Sequence, residues 1–299
     1  MFEKVISEEK IIFPCGMSRS GTTLLTTVLD SHSQISLGYE LLPAELPEPL
    51  VLKENIKAVA NELGEIDLVK LGKGLRKKGL NAEGMFAVRV ARSGISYEGY
   101  LDILGLLFES GFKKTSSLEE RFKISYEVVA QKSKQESTSF RGFKLNNASY
   151  QIAHKLFPNS YFVYTLRDPR DVWTSHVKRE FKRTVEEVCK AWNTYLEKFE
   201  VFSKEFPNKA LLIRYEDLVT TPKDSINHMF KLLPLDVEES VFEFYKSNAT
   251  VHSAGHPNAD QLSQNFFTSS IHSWKGSISS EEQQTIENIC GNLMSKYNY

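Results

Sequence analysis

The sequence predicts an α/β fold of the P-loop type, three layers deep, with a central parallel sheet flanked by helices. Three observations predict it. The stretch IIFPCGMSRSGTTLL, Ile11 to Leu25, reads as a short apolar strand, a Gly/Ser-rich loop from Gly16 to Gly21, and a helix over Thr22–Asp30. The segment YFVYTL, Tyr161 to Leu166, is built from aromatic, β-branched and aliphatic residues, as a strand buried on both faces must be. Strand-like and helix-like stretches then alternate along the chain, which is the pattern of a parallel sheet with crossover helices.

Taken in order, QISLGYE (Gln34–Glu40) is a short strand ending in Glu40. Leu42 to Pro49 holds three prolines and is expected to be irregular. A polar helical pattern runs on to Lys78, with Lys70, Lys73, Arg76, Lys77 and Lys78 as a solvated basic cluster. Phe86–Val90 fits a strand, although the surrounding Glu83–Phe108 stretch is ambiguous, and Tyr97–Phe108 reads as a buried helix. Leu118–Lys134 is helical, with Leu118, Phe122, Tyr126 and Val129 on one core-facing stripe. Phe140–Leu145 is a strand and Ala148–Phe157 a helix; the Tyr161–Leu166 strand feeds helices over Pro169–Lys182 and Thr184–Phe206. A strand at Ala210–Ile213 and helices at Thr221–Leu233 and Val237–Ser247 follow. Thr250–Ser270 is polar and patternless, a lid or an active-site loop. Ser280–Lys296 closes the chain as a helix with Ser280 as N-cap.

With 299 residues and 41% hydrophobic content there is ample core, and no linker or repeat divides 1–299, so a single domain is expected. A net charge of -1 gives no global field for nucleic acid or membrane, so any anion site must be local. No apolar run is long enough for a membrane span, and the charged N-terminus lacks a signal-peptide core. Three distant cysteines, Cys15, Cys189 and Cys290, argue against a disulfide framework or a zinc site. A cytoplasmic protein without a bound metal is expected; a homodimer stays open.

Strand, glycine loop and helix N-terminus together present backbone N–H groups to an anion. The spacing Gly16-x4-Gly21-Thr22-Thr23 matches a P-loop except that Thr22 stands where the phosphate-binding lysine would be, while Arg19 lies inside the loop. A second anion pocket is predicted after the Tyr161–Leu166 strand, in RDPRDVWTSHVKR. Arg167 ends that strand, Asp168-Pro169 starts a helix, and Asp171, Ser175 and Arg179 share its face at i, i+4 and i+8. The structural alternative makes Arg167 and Arg170 partners of Asp168 and Asp171 in a capping network.

Two anion sites on one sheet edge suit a ligand with two separated phosphates. Here the sequence resembles the sulfotransferases that use 3′-phosphoadenosine 5′-phosphosulfate (PAPS). SRSGTTLL is similar to their 5′-phosphosulfate loop and LRDPRDVWTSHVKR to their 3′-phosphate motif. The tyrosylprotein sulfotransferases and their bacterial relatives are resembled further in LDSH, GYE, LFPNSYF, IRYEDLV and the DQ and SWKG pieces near the C-terminus. The likeness implies that Arg19, Ser20, Gly21, Thr22 and Thr23 hold the 5′-phosphosulfate and that Arg167, Ser175 and Arg179 hold the 3′-phosphate. It also implies that Tyr215 lies against the nucleotide, that Glu40 is the general base, and that Lys144 is a second cation at the transferring group beside Arg19. PAPS would be the co-substrate, its bisphosphate PAP the product, and a hydroxyl-bearing molecule (carbohydrate, phenol or tyrosine, or small metabolite) the acceptor. Asn258 stands where that branch has a serine, and Pro14 and Cys15 depart from its usual residues before the loop. His176, His252, His256 and His272 are alternative bases. Competing readings are a P-loop kinase or NTPase, with Asp168 as a Mg²⁺-binding aspartate, and a non-catalytic nucleotide-binding protein of the same fold.

Overall fold

Five parallel strands form one sheet in the order β2-β3-β1-β4-β5 in the computed structural model, which describes residues 9–41, 67–109, 117–136, 138–246 and 259–299. The strands are β1 (Ile11–Cys15), β2 (Ile35–Gly38), β3 (Phe140–Phe143), β4 (Ser160–Leu166) and β5 (Ala210–Arg214). β1 is central, pairing β4 from Ile11↔Ser160 to Cys15↔Tyr164 and β3 on its other side.

Side-chain alternation along these strands builds the three layers. Ile11, Phe13 and Cys15 of β1 join Phe162, Tyr164 and Leu166 of β4 in one core. Ile12 and Val163 point the other way, into a second core with Leu25, Val28, Met229 and Phe230. The first layer is packed by α2 (Leu68–Lys77), α3 (Asn81–Arg92), α4 (Tyr97–Glu109), α5 (Leu118–Glu136), α6 (Tyr150–Leu156), α7 (Pro169–Val177), α8 (Val185–Glu205) and the last helix. The second is packed by α1 (Thr22–Asp30) and by α10 (Pro222–Leu232), which follows α9 (Tyr215–Thr220). The expected stripe on α5 is core: Phe122, Tyr126 and Val129 are buried.

Several expectations are corrected. Phe86–Val90 lies inside helix α3, because Phe86 and Val90 (i, i+4) both bury on one stripe and α3 packs against α2 through glycines. A Cβ on Gly72 would sit 2.6 Å from the Gly84 carbonyl oxygen, so this close crossing outweighs the valines' strand preference. In the described part of the expected Val237–Ser247 helix, 237–246, there is no α-helix: it holds two 3₁₀ turns, Glu239–Val241 and Phe244–Lys246, whose buried Val241 and Phe244 are spaced by three. The helix after Asp168 stops at Val177 rather than Lys182, with Glu180 in the left-handed region (φ 54°), so Arg179 lies beyond the helix end. The last helix, α12 (Ser280–Lys296) after a short α11 (Ala259–Leu262), is capped by Ser279, whose hydroxyl accepts from Glu282 N while Glu282 bonds back. β2 ends at Gly38, two residues short of Glu40. The proline-rich segment 42–49, His252, His256 and Asn258 lie outside the described residues. Among the described residues no helix is long and apolar enough to cross a membrane.

A Cβ on Gly142 would lie 1.8 Å from the carbonyl oxygen of Ile12, where β3 meets β1. Gly142→Ala should therefore lower the unfolding free energy by about 3 kcal/mol or more. Gly105→Ala, at an exposed α4 position with none of the described residues within 4 Å of its Cβ, should raise it by about 0.5–1 kcal/mol. Urea unfolding midpoints of the two variants check both signs.

Candidate active site

β1 and β4 are neighbours whose following helices leave in opposite directions, α1 toward β2 and α7 toward β5. Their carboxyl ends thus form the crevice where open parallel sheets bind ligands. Gly16 makes the turn out of β1 with φ 145°, and a Cβ there would lie 2.6 Å from the Thr165 carbonyl oxygen. The Thr165 hydroxyl donates to the Ser20 carbonyl at 2.9 Å, tying the loop to the end of β4. Arg19 adopts φ 72°, and Gly21 (φ 88°) starts α1 with no side-chain cap and no acidic residue in the first turn. The first-turn N–H groups of α1 have no intrahelical partners, and Thr22 and Thr23 of that turn line the cavity. Tyr215 roofs this loop so closely that a Cβ on Gly21 would meet its ring at 2.4 Å.

The cavity of about 460 Å³ is lined by Arg19, Gly21, Thr22, Thr23, Glu40, Lys144, Arg167, Ser175, Arg179 and Tyr215 among others. Ser20 is the expected residue that does not line it; its side chain is buried behind the loop. Arg19, Lys144, Arg167, Lys178 and Arg179 are cationic, whereas Glu40 is the one carboxylate among the described lining residues. Burial first, then the Arg179 and Arg167 guanidinium groups, push Arg19 below the usual arginine value. Such a field is suited to an anion.

At one end, Arg19 Nε donates to Ser175 Oγ at 2.8 Å, joining the loop to α7. Arg167 donates to the carbonyls of Arg19 (3.0 Å) and Ser270 (2.6 Å), and its guanidinium stacks over Tyr215 at 4.7 Å. The capping alternative is half met: Arg170 pairs with Asp168 at 2.8 Å, but Arg167 takes no carboxylate among these contacts. Asp168 also caps α7 by accepting from Arg170 N, which commits its oxygens away from a metal-binding role. Asp171 turns to the late loop instead of the cavity, accepting from His272 N, Ser273 Oγ and Trp274 N at 2.9–3.0 Å. Glu216 accepts from Asp168 N at 3.0 Å, and burial raises its carboxyl above the usual range.

At the other end, Lys144 Nζ donates to Glu40 Oε1 at 2.8 Å and to Thr23 Oγ1 at 3.1 Å. Base and cation candidates therefore meet beside the start of α1. Glu40 carries φ 31°, a strained value of the kind that persists at functional sites when its surroundings dictate it. The sequence reasoning missed an apolar wall of Leu24, Phe244, Leu262 and Phe266, with Phe244 and Phe266 packed edge-on at 4.9 Å. Its signal was thin: Phe266 falls in the patternless late stretch, whose described part does line the cavity between Gln261 and Ser270.

A family model described as "Sulfotransferase family" matches residues 12–239. The chain belongs to the sulfotransferase family. Over 291 residues this chain is 22% identical to a Caenorhabditis briggsae protein provisionally named a protein-tyrosine sulfotransferase, covering 94% of this chain and 86% of that one. Its fold is shared with the sulfotransferase domain of the Synechococcus PCC 7002 olefin synthase (TM-score 0.59, 16% identity, 94% and 93% of the two chains). It is shared too with the sulfotransferase domain of the curacin biosynthetic pathway (TM-score 0.60, 19% identity, 97% and 98%).

Of the alternative histidine bases, His272 is exposed in the turn held by Asp171, away from the cavity lining. His176 is buried beside Phe181. Burial, then Arg183 and Arg19, lower its pKa to about 4. The native state thus favours neutral imidazole, and the unfolded chain binds the proton more readily. His176 contributes stability that is complete above about pH 6.5 and is lost as pH falls from there toward 4, by up to about 1.4 kcal/mol per pH unit. Urea unfolding at pH 7.5 and pH 5 should show the wild type losing stability relative to His176→Leu.

Proposed function

We propose that this chain moves a sulfuryl group from PAPS to an acceptor hydroxyl, with Glu40 as general base. The observation that carries the reading is the Lys144–Glu40 pair, bonded to Thr23 at one end of a strongly cationic cavity. The α1 N-terminus and Arg19 would hold the 5′-phosphosulfate, and Arg167, Ser175 and Arg179 the 3′-phosphate. The Leu24–Phe244–Phe266 wall and Tyr215 offer flat apolar surface to a purine ring.

In the proposed step the acceptor oxygen attacks sulfur in line. Its O–H bond breaks toward Glu40 as the new O–S bond forms. The old S–O bond breaks, and its electron pair leaves on the 5′-phosphate oxygen of the nucleotide. Charge grows on that bridging oxygen, where the loop N–H groups, Arg19 and Lys144 can meet it. An ammonium that donates to Glu40 and Thr23 has a third N–H to spend on the transferring group. The work is mainly positioning and electrostatic stabilisation, as in phosphoryl transfer. A tyrosine or other phenol as acceptor is supported by the name of the nematode relative and by the GYE and IRYEDLV likeness.

Turnover of ³⁵S-labelled PAPS against a panel of sugar, phenol and peptide-tyrosine acceptors tests the reading. The bisphosphate product should stabilise the fold without Mg²⁺ by about 2.7 kcal/mol at a hundredfold its Kd. A thermal shift with ATP·Mg²⁺ and none with the bisphosphate would overturn it. Ser175→Ala should weaken binding of the 3′-phosphorylated nucleotide by roughly 1.5–3 kcal/mol and that of adenosine 5′-phosphosulfate by clearly less, the smaller loss coming from Arg19, whose Nε donates to Ser175. Arg167→Ala should hurt both, because Arg167 also holds the Arg19 and Ser270 carbonyls. Glu40→Gln should leave bisphosphate affinity unchanged and lower kcat by about 10²–10⁴-fold.

A further inference from the structure

β2 is the edge strand among the described residues, yet its outward backbone groups are not left to water. Leu37 N donates to Asp30 Oδ1 at 2.7 Å, and Leu37 O accepts from Lys132 Nζ at 2.9 Å. Asp30 and Lys132 are themselves paired at 2.8 and 3.0 Å, with side chains 3% and 4% exposed. They come from opposite sides of the sheet edge, Asp30 from the end of α1 and Lys132 from α5. The next outward group, Tyr39 N, donates to the buried Ser93 Oγ at 2.8 Å. Past Glu40, the buried Ser125 hydroxyl donates to Leu41 O at 2.8 Å.

An edge strand can be sealed more cheaply by exposed charge or a bulge. A fully buried ion pair is weak evidence for stability, since desolvation offsets much of its attraction. What this arrangement does distinctively is pin the backbone on both sides of one residue, Glu40, and that residue holds a positive φ of 31°. On the inward side, Lys144 N donates to Gly38 O at 3.0 Å, so the same short segment also fixes the register of Glu40 against Lys144.

We propose that Asp30, Lys132 and Ser93 are positioning residues for the transfer reaction, a buried clamp on β2 and the adjoining Tyr39 that holds Glu40 in its strained conformation against Lys144. The inference rests on Glu40 being the base. None of the three lines the cavity, so none touches the reacting atoms. Their effect is on where the carboxylate stands, and a displacement of about 1 Å can cost on the order of 10²-fold in rate.

The test measures kcat with labelled PAPS and the acceptor transferred fastest in the panel, together with the Kd for adenosine 3′,5′-bisphosphate. Ser93→Ala should lower kcat about tenfold and Lys132→Met about a hundredfold, with the Kd within about twofold of wild type because the loop and α7 are untouched. In a Glu40→Gln background each substitution should lose its effect on kcat, since there is no base left to misplace. The same fold loss in both backgrounds, or a Kd that rises as far as kcat falls, would show a purely structural pair and overturn the clamp. Removing Lys132 leaves Asp30 as a buried charge, so if Lys132→Met does not fold, Ser93→Ala decides: unchanged kcat there refutes the clamp. Near-native turnover of Glu40→Gln alone is a separate failure, of the base assignment itself, and is read before any clamp variant is made.

Discussion

The parallel register of β1 against β4 is the constraint on which the rest of the molecule depends. Five consecutive residue pairs, Ile11↔Ser160 through Cys15↔Tyr164, bring the two strand ends to nearly the same level. The chain then leaves β1 toward one edge and β4 toward the other, so the glycine loop and the Arg167 turn must face each other across the opening. A slip of one residue would exchange Phe13 with Ile12 between two unlike cores, one rich in aromatic rings and the other mostly aliphatic. Hydrophobic packing therefore sets the separation of the charged groups, although none of those groups contributes to it.

Charge is arranged with the same economy. The cavity gathers five cationic side chains and one carboxylate among the described residues of a chain whose overall charge is -1. The remaining charge of these segments is spent on fixed jobs. Asp168 holds Arg170, Asp171 holds the turn at 272–274, and Asp30 holds Lys132. Guanidinium groups that donate to carbonyls, as Arg167 does, keep their full charge for the cavity while still being held in place.

Much of this was legible in the sequence because it is local. The strand–loop–helix from Ile11 to Asp30 and the Asp168-Pro169 helix start are short-range patterns, and the structure has both where the spacing put them. The sheet class followed from Tyr161–Leu166 because a strand buried on both faces has to be continuously apolar or β-branched. Where the sequence misled, tertiary contacts decided. The valines of α3 suggest a strand until Gly72 and Gly84 are seen to bring two helices together, and Val241 and Phe244 suggest a helix until they bury as separate 3₁₀ turns. Ser175 and Arg179 both line the cavity, although Arg179 does so from beyond the end of α7 and not from the helix face the spacing implied. Asp171 turns away from them, since helical spacing does not reveal that the 272–274 turn lies within its reach. The clamp behind Glu40 was invisible for the same reason: Asp30, Ser93 and Lys132 are far apart in the chain, and a lysine at helix position 132 looks like any solvated one.

The contact between Gly21 and Tyr215 carries a consequence for heredity. The ring occupies the space a Cβ at position 21 would need, and φ at 21 is one that side chains rarely adopt, so the glycine is demanded twice over. A descendant that replaces Gly21 regains only part of the loss by shrinking Tyr215, because a left-handed backbone still costs a side chain about 1–2 kcal/mol. One that keeps Gly21 can vary the ring as far as sterics go. Mutational drift at this pair is thus biased: the aromatic can be exchanged while the glycine stays, but the reverse order begins with a clash and a strained turn together. Among relatives of this chain, position 21 should therefore vary less than the residue above it.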